Sequence, residues 1–254
     1  MQRYFIPPEQ FGEDHVLVAG EDARHITKVM RGKPGDKIIV SDGQGRVVLA
    51  ELASLEPDSV TAKVLESMPE TSEPRVKVDI AQSLPKGDKM ETVIQKCTEI
   101  GAASFIPFLS ERTIVQYDER KEGKRTARWA KIAKEAAEQA HRSRIPEVRQ
   151  PLKWKGLLEL FQGYDLVCLC YEKETGAQLR DIIEPFASSL GREAAGRVLV
   201  IVGPEGGFTE EEVSAAEAAG AKSVGLGRRI LRTETAGMAA LTCILYETGE
   251  LGGA

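Results

Sequence analysis

From Val76 onward the chain alternates short apolar runs with longer segments in which apolar residues recur at helical spacing. The predicted strands are Val76–Ala81, Ser104–Phe108, Leu166–Cys170, Val198–Val202 and Ser223–Leu226. The predicted helices are Asp88–Ile100, Lys121–His141, Gln178–Leu190, Glu210–Ala219 and Thr235–Tyr246. Since neighbouring parallel strands are joined by a crossover that is usually a helix, the alternation predicts an α/β fold with a mostly parallel sheet flanked by helices.

The N-terminal part of the chain has a different pattern, in which short β-type runs are separated by turn residues. The predicted strands there are Lys37–Ser41, Val47–Leu52 and Val60–Val64. A short helix is predicted over Glu21–Met30, and the segment Met68–Pro74, MPETSEP, has the composition of a linker. We therefore predict two domains: a small β-barrel at residues 1–70 and the α/β domain at residues 71–254.

Composition narrows the class of protein. The chain has 254 residues, of which 42% are hydrophobic and 29% are charged, as expected for a globular protein with a sizeable core. No apolar stretch reaches the roughly 20 residues that span a bilayer, and the N-terminus lacks a secretory pattern, so we expect a cytoplasmic protein without membrane association. The four cysteines form no CxxC pair, and we expect neither disulfides nor a metal site.

Two segments near the C-terminus predict a ligand site. GPEGGFT, Gly203–Thr209, follows the predicted strand Val198–Val202, and LGRRILRTETA, Leu226–Ala236, follows the next predicted strand. The carboxyl ends of parallel strands form the usual ligand-binding edge of an open α/β sheet. Neither a P-loop nor a GxGxxG motif is present, which disfavours a dinucleotide. Glycines permit close approach of the backbone to a flat ligand, and Glu205 adds a carboxylate beside them.

The net charge of −5 hides an uneven distribution of charged residues. Between residues 24 and 37 the chain carries five basic residues and one acidic residue, and a second basic excess runs from Arg112 to Arg149. Both excesses are compatible with ordinary solvated faces, as most charge runs are. Their occurrence in two predicted domains also fits a nucleic-acid partner.

The two C-terminal segments resemble the signature of the RsmE family of SPOUT-class RNA methyltransferases, which methylates N3 of a uridine in 16S ribosomal RNA of the small subunit. The resemblance extends to QKCTEIG at 95–101, EAAEQAHR at 135–142 and HITKVMRGKPGD at 25–36, and so covers essentially the whole chain. Met30 and Ile100 stand where leucine is expected, and both changes are conservative.

The resemblance implies a fold and a cofactor. It implies a C-terminal trefoil knot, a rare exception to un-knotted topology, and an N-terminal domain similar to PUA-type RNA-binding barrels. The knot would hold S-adenosylmethionine, with the apolar side chains of the second segment enclosing the adenine. The implied cofactor-binding residues are Cys170, Tyr171, Gly203, Glu205, Gly206, Gly207, Leu226, Gly227, Ile230 and Leu231. A homodimer is also expected, because SPOUT enzymes are commonly dimeric.

The implied reaction assigns roles to two further residues. Methylation of uridine N3 requires loss of its proton and stabilisation of charge on the neighbouring carbonyl oxygens. Arg232 can bind a carbonyl or phosphate oxygen, and Glu234 can accept the proton. Alternatively, Glu234 favours the start of the last helix and Arg232 pairs with it. For RNA contacts, the candidates are Arg24, Lys28, Arg31 and Lys33, toward either free ribosomal RNA or the assembled subunit.

Two other functions stay open at this point. Another SPOUT reaction, such as ribose 2′-O-methylation or methylation of a different base, would share the cofactor segments. A non-catalytic RNA-binding module in ribosome assembly would retain only a vestigial pocket. The intact glycines and the intact RTETA segment argue against the second alternative, because a lost activity leaves no chemical requirement for them.

Overall fold

The structure, a computed structural model, describes residues 1–69, 72–115, 119–191 and 194–252. The chain divides into two compact units. Unit 1 comprises Met1–Glu73 and Lys134–Ile145, and unit 2 comprises Pro74–Ala133 and Pro146–Ala254. The predicted domain boundary, between residues 70 and 71, lies outside the described residues. No helix of the described residues is long and apolar enough to cross a membrane.

Unit 1 is built on a five-stranded sheet. Its strands are β1 (Arg3–Phe5), β2 (His15–Ala19), β3 (Lys37–Ser41), β4 (Val47–Glu56) and β5 (Ser59–Met68). Their order is β1-β3-β4-β5-β2, with β1 parallel to β3 and the other pairs antiparallel. In β2 buried and exposed residues alternate strictly, as expected for a strand with one face on a core. The three predicted strands are present, whereas β1 and β2 were not predicted.

The predicted helix of unit 1 is also present, with an irregular second half. Helix α1 (Glu21–Arg24) continues directly into one π-helical turn over His25–Val29. Ala23 and Ile26 bury its inner face in the core of the unit. His25 does not join an outward basic surface, because its Nδ1 atom lies 2.9 Å from the hydroxyl of Tyr4.

The second segment of unit 1 is anchored by a buried ion pair. Arg142 Nη2 lies 2.6 Å from Glu73 Oε2, and both side chains are only 5% exposed. Glu73 also accepts hydrogen bonds from the backbone N–H groups of Ser143 and Arg144, at 3.1 and 3.2 Å. The linker-like composition around Glu73 gave no sign of this role, because the partners lie about seventy residues away in sequence.

Unit 2 contains a parallel sheet of seven strands. They are β6 (Val76–Ser83), β7 (Ser104–Leu109), β8 (Glu147–Val148), β9 (Leu152–Lys153), β10 (Leu166–Cys170), β11 (Gly196–Val202) and β12 (Lys222–Val224). The order is β12-β10-β11-β6-β7-β8, with β9 also pairing β7, and every pairing is parallel. The predicted α/β class with a mostly parallel sheet is confirmed.

Six helices accompany these strands. They are α2 (Lys89–Ile100), α3 (Glu119–Gln139), α4 (Trp154–Leu158), α5 (Leu179–Leu190), α6 (Glu210–Ala218) and α7 (Thr233–Glu247). The last turns of α3 belong to unit 1. Helix α6 starts with a capping box in which Thr209 Oγ1 accepts the backbone N–H of Glu212. The helices α2, α5 and α6 lie within one residue of their predicted bounds.

An aromatic cluster fixes the loop after β11. Phe208 is 1% exposed and its ring stacks on Phe108, with centroids 6.4 Å apart and planes 2° from parallel. Trp154 packs against both rings. Because an aromatic ring in such a core has little freedom to move, Phe208 anchors the C-terminal end of the glycine-rich segment.

Candidate functional site

Three adjacent strands end side by side in unit 2. Cys170, the last residue of β10, lies opposite Val202 at the end of β11 and opposite Val224 at the end of β12. The backbone N–H of Tyr171 then donates to the carbonyl of Val224 at 3.0 Å. The loops that follow the three strands therefore start from one edge of the sheet, as the sequence pattern predicts for two of them.

These loops and the start of α7 enclose a cavity of about 410 Å³. All ten predicted cofactor-binding residues line it: Cys170, Tyr171, Gly203, Glu205, Gly206, Gly207, Leu226, Gly227, Ile230 and Leu231. Arg232 lines it as well. The structure thus brings together residues that are up to about sixty positions apart in sequence. The cavity lies in the range of roughly 300–1,000 Å³ that small-molecule sites occupy.

The wall after β11 requires its glycines. A Cβ atom on Gly203 would lie 3.0 Å from the ring of Phe208, which cannot yield easily. Gly207 has φ of +66°, in the left-handed region, and a Cβ atom there would overlap the carboxylate of Glu172. Its N–H donates to the carbonyl of Pro204 at 3.0 Å and closes a tight turn. The backbone can therefore face the cavity without intervening side chains.

The wall after β12 is fixed by the start of α5. Gly225 donates its N–H to the carbonyl of Ala177 at 2.9 Å and accepts from Leu179 at 3.0 Å. Gln178 Oε1 accepts the N–H of Gly227 at 3.1 Å. A Cβ atom on Gly225 would lie 2.8 Å from Gln178 Nε2, so this position also requires glycine. The sequence singled out neither Gly225 nor Gln178.

A buried polar network joins the cavity walls. Thr233 Oγ1 donates to the carbonyl of Gly203 at 2.6 Å, and Gln82 Nε2 donates to Thr233 Oγ1 at 2.9 Å. Gln82 lies fully buried at the end of β6, next in the sheet to β11. Sequence reasoning missed both residues, because each acts through a side chain that reaches another segment. The network holds the first residue of α7 against the glycine-rich segment.

One cation and two carboxylates meet beside the cavity. Lys89 Nζ lies 2.7 Å from Glu205 Oε1 and 3.6 Å from Glu234 Oε2. Glu205 Oε1 also accepts the backbone N–H of Lys86 at 3.1 Å. Burial opposes ionisation of Glu205, but the hydrogen bonds from Lys89 and the backbone outweigh it, so the pKa of this carboxyl is lowered. The hydrogen bond to Glu205 raises the pKa of Lys89, which therefore stays charged at neutral pH.

Two family models match the chain. A model described as RNA methyltransferase domain matches residues 71–245, and one described as RNA methyltransferase PUA domain matches residues 18–65. The ribosomal RNA small subunit methyltransferase E of Bacillus subtilis (strain 168) is 42% identical over 100% of this chain and 99% of its own length. The chain belongs to the ribosomal RNA small subunit methyltransferase E family. This membership confirms the resemblance inferred from the sequence.

Further relatives agree with the family assignment. The Synechocystis methyltransferase E is 36% identical over 95% of this chain and 76% of its own length. A crystal structure of the Neisseria gonorrhoeae methyltransferase E, bound to S-adenosyl methionine, has a TM-score of 0.84 at 32% identity and covers 97% of both chains. The expected N-terminal PUA-like domain and SPOUT-type α/β domain are thereby confirmed at the level of the methyltransferase E fold.

The two residues predicted to act in methyl transfer occupy different positions in the structure. Arg232 is exposed on the cavity wall, directly before α7. Glu234 is half-buried in the first turn of α7, outside the described lining of the cavity. Its Oε2 atom is buried and has no hydrogen-bond partner among the described residues. Glu234 pairs with Lys89, and not with Arg232 as the structural alternative supposed.

The cavity also has features that the sequence did not reveal. Glu172 and Glu174, after β10, add carboxylates to its lining. The backbone N–H groups of Ala177 and Gly176 hold Glu174 and lower the pKa of its carboxyl. Ile230, expected to enclose a bound ring, is 79% exposed at the edge of the cavity. Leu226 and Leu231 are half-buried and line the inner surface.

The candidate RNA-binding residues of unit 1 lie on its surface. Arg24, Lys28, Arg31 and Lys33 are all exposed. Arg24 is paired through its Nε atom with Asp58, a partner that the local count of charges did not include. Lys28 and Arg31 follow on the π-helical turn and just after it, where Arg31 adopts a left-handed φ of 53°. Within the described residues, no group of three or more His, Cys, Asp or Glu side chains could hold a metal ion.

Proposed function

We propose that this protein transfers a methyl group from S-adenosylmethionine to N3 of a specific uridine in 16S ribosomal RNA of the small subunit. The observation that carries the proposal is the single cavity at three parallel strand ends, which gathers all ten residues implied by the family signature. The name of the Bacillus relative and the cofactor in the Neisseria structure support it. We also propose that the chain threads as a trefoil knot at this edge.

The cavity fits the proposed cofactor in size and in chemistry. S-adenosylmethionine offers a flat purine, a ribose, a sulfonium and an amino-acid group, so it needs backbone polar groups, an apolar surface and negative charge. The glycines of the lining let the backbone approach a flat ligand without intervening side chains, and Leu226 and Leu231 provide an apolar surface. The lining also carries carboxylates and cations, so it can meet both the sulfonium and the amino-acid carboxylate of the ligand; they are Glu172, Glu174, Glu205, Lys89, Arg229 and Arg232.

The protein side of the reaction consists of positioning and proton transfer. When bound, S-adenosylmethionine supplies a methyl group on a positively charged sulfur, which needs no further activation. Arg232, on the cavity wall, binds a carbonyl oxygen of the uracil and stabilises the negative charge that develops there. Glu234, in the first turn of α7, accepts the N3 proton directly or through a water. The start of α7 is held against the cavity by Thr233, so both groups are pre-positioned.

The substrate contacts extend to unit 1. Phosphates of the ribosomal RNA are bound by Arg24, Lys28, Arg31 and Lys33. The attraction is electrostatic, so the binding affinity depends on the salt concentration. The active form is a homodimer, as in other SPOUT enzymes, and the protein acts in the cytoplasm on free RNA or on the assembled subunit. The described surface residues of unit 1 supply the charge that such contacts need.

Methyl transfer to ribosomal RNA of known modification state tests the proposal. The protein is incubated with labelled S-adenosylmethionine and either small subunits or free 16S RNA from cells that lack the gene. Nucleosides are then identified by mass spectrometry, and we expect N3-methyluridine. A 2′-O-methylated nucleoside or another methylated base would identify the alternative SPOUT reaction. Absence of saturable S-adenosylmethionine binding in calorimetry would instead indicate a non-catalytic RNA-binding module.

A further inference from the structure

We propose that Lys89 is a positioning residue that holds Glu234 in place as the base and couples it to the cofactor wall through Glu205. Lys89 is the first residue of α2, and its side chain lines the cavity. It contacts Glu205 in the loop after β11 and Glu234 in the first turn of α7. One ammonium thus connects three chain segments at the point where cofactor and uridine would meet. The role in catalysis rests on the proposed function.

The geometry of Glu234 requires such a partner. Glu234 Oε2 is buried and accepts no hydrogen bond within the described part of the chain, and a buried unpaired carboxylate oxygen is costly. The ammonium of Lys89, 3.6 Å away, supplies the opposite charge. This ion pair restricts the orientation of the Glu234 carboxylate, and a fixed orientation is what a base needs before substrate arrives.

Lys89 Nζ lies closer to Glu205 than to Glu234, and this difference indicates which carboxylate anchors it. Lys89 Nζ donates to Glu205 Oε1 at 2.7 Å, and the same oxygen accepts the N–H of Lys86 at 3.1 Å. The ammonium is thereby anchored to the cofactor wall and is held within ion-pair distance of Glu234.

Other charged groups around Glu234 do not replace Lys89. Those of the cavity lining are Lys89, Glu172, Glu174, Glu205, Arg229 and Arg232. The elements packed against α7 add Glu91, Lys96 and Glu99 of α2, Lys77 and Asp79 of β6, Arg197 of β11, and Arg180, Asp181 and Glu184 of α5. Among the described residues, Lys89 is the cation that lies within ion-pair distance of Glu234. On α5, Asp181 caps the helix and Arg180 pairs with Glu184.

Substitution of Lys89 with a matched control tests the inference. Lys89→Met keeps the length of the side chain and removes its charge, whereas Lys89→Arg keeps the charge. Lys86→Met is the control, because only the backbone of Lys86 contacts Glu205. We expect Lys89→Met to lower kcat on the order of 10²-fold, the cost of misplacing a reacting group by about 1 Å, with little change in KM for RNA. Lys89→Arg restores most of the activity, and Lys86→Met behaves as wild type.

The pH profile separates positioning from a general structural effect. Removal of a cation within ion-pair distance of Glu234 moves the acid limb of the kcat profile to higher pH. A smaller movement is expected in a Glu205→Gln background, where Lys89 is no longer anchored beside Glu234, and none is expected for Lys86→Met. Wild-type kcat and an unmoved acid limb in Lys89→Met would overturn the inference. Thermal melting checks that the variant folds, and Lys89→Gln is a second charge-free variant if it does not.

A spectroscopic readout keeps the inference testable without activity. The carboxyl carbon of Glu234 can be followed by NMR in the full-length protein at a fixed pH, wild type against Lys89→Met. We expect its resonance to move in this variant and to stay in place in Lys86→Met, and an unmoved resonance in Lys89→Met would refute the contact. If the wild-type protein itself transfers no methyl group to uridine N3, the proposed function fails, while this comparison still decides the role of Lys89.

Discussion

Replacement of Gly207 by alanine separates the role of a glycine in the cofactor wall from its role in the backbone. Gly207 has φ of +66°, and a Cβ atom there would overlap the carboxylate of Glu172. Gly249, in the turn after α7, has φ of +75° and no atom within 4 Å of an added Cβ. Gly249→Ala is therefore the matched control, since it imposes similar backbone strain away from the cavity.

The expected loss of stability is similar for both variants. A left-handed conformation costs a residue with Cβ about 1–2 kcal/mol. Alanine also restricts the unfolded chain, which stabilises the folded state by about 0.4–1 kcal/mol, so the net loss of folding free energy is about 1 kcal/mol. For a domain of this size that loss lowers Tm by about 2–4 °C. The overlap at Gly207 adds little to this loss, because Glu172 is exposed and its carboxylate can swing away.

The two variants should differ in cofactor binding. In Gly207→Ala the new methyl group drives the Glu172 carboxylate from its position on the cavity wall and strains the turn closed by the Pro204 carbonyl. We expect S-adenosylmethionine to bind about tenfold more weakly, equivalent to about 1.4 kcal/mol. Gly249→Ala should bind as wild type. Calorimetric titration with parallel thermal melts makes the comparison, and equal affinities in the two variants would refute the role given to this wall.

Three further predictions address the base, the RNA surface and the buried thiols. Glu234→Gln should bind S-adenosylmethionine normally and lose on the order of 10²–10⁴-fold in methyl transfer, and near-normal turnover would remove it as the base. Charge reversal at Lys28 and Arg31 should weaken RNA binding and reduce the salt slope by roughly one unit per lost phosphate contact, whereas an unchanged slope would indicate a solvated face. Burial raises the pKa of the Cys97 thiol to about 12, so a thiol reagent at pH 8 should label the exposed Cys243 and leave Cys97 unreacted until the protein unfolds. Because unfolding releases that thiol to its ordinary pKa of 9.0, its contribution to stability is present below that pH and is lost as the pH rises toward 12.

The sheet of unit 2 was predictable because its information is local. Each strand is a short apolar run between helices, and β10 has the predicted bounds, Leu166–Cys170. The same alternation indicates that the strands are mostly parallel, but it does not give their order in the sheet. Pairing of β6 with β11, at the centre of the sheet, joins residues about 120 positions apart. Local periodicity carries no information on such a pairing.

The strands missed in unit 1 show the limit of pattern reasoning. Strand β1 has only three paired residues, Arg3–Phe5. It pairs with β3 in parallel, so no hairpin turn joins the two strands and marks them in the sequence. Residues 134–145 return to unit 1 through several contacts, which include the buried pair of Arg142 and Glu73 and the ion pair of Lys134 with Asp22. These residues are charged, and charged side chains are ordinarily interpreted as solvated. Tertiary pairing, and not composition, decides their burial.

At the candidate site the sequence predicted the walls but not their supports. The glycines of the two walls were identifiable because special backbone conformations leave a compositional trace. Gln82, Gln178 and Lys89 leave none, since each acts through one long side chain that reaches another segment. The contacts of these three side chains hold the two loops in place as walls of one cavity.

Two interactions act on the carboxylate of Glu234, one with the N-terminus of α7 and one with Lys89. A helix N-terminus stabilises a nearby carboxylate, which alone would explain an acidic residue in the first turn of α7. That explanation predicts a solvated side chain, yet Glu234 Oε2 is buried and lacks a hydrogen bond within the described residues. The opposite charge of Lys89, 3.6 Å away, compensates for this burial. The position of Glu234 therefore depends on its ion pair with the start of α2 as well as on the helix N-terminus.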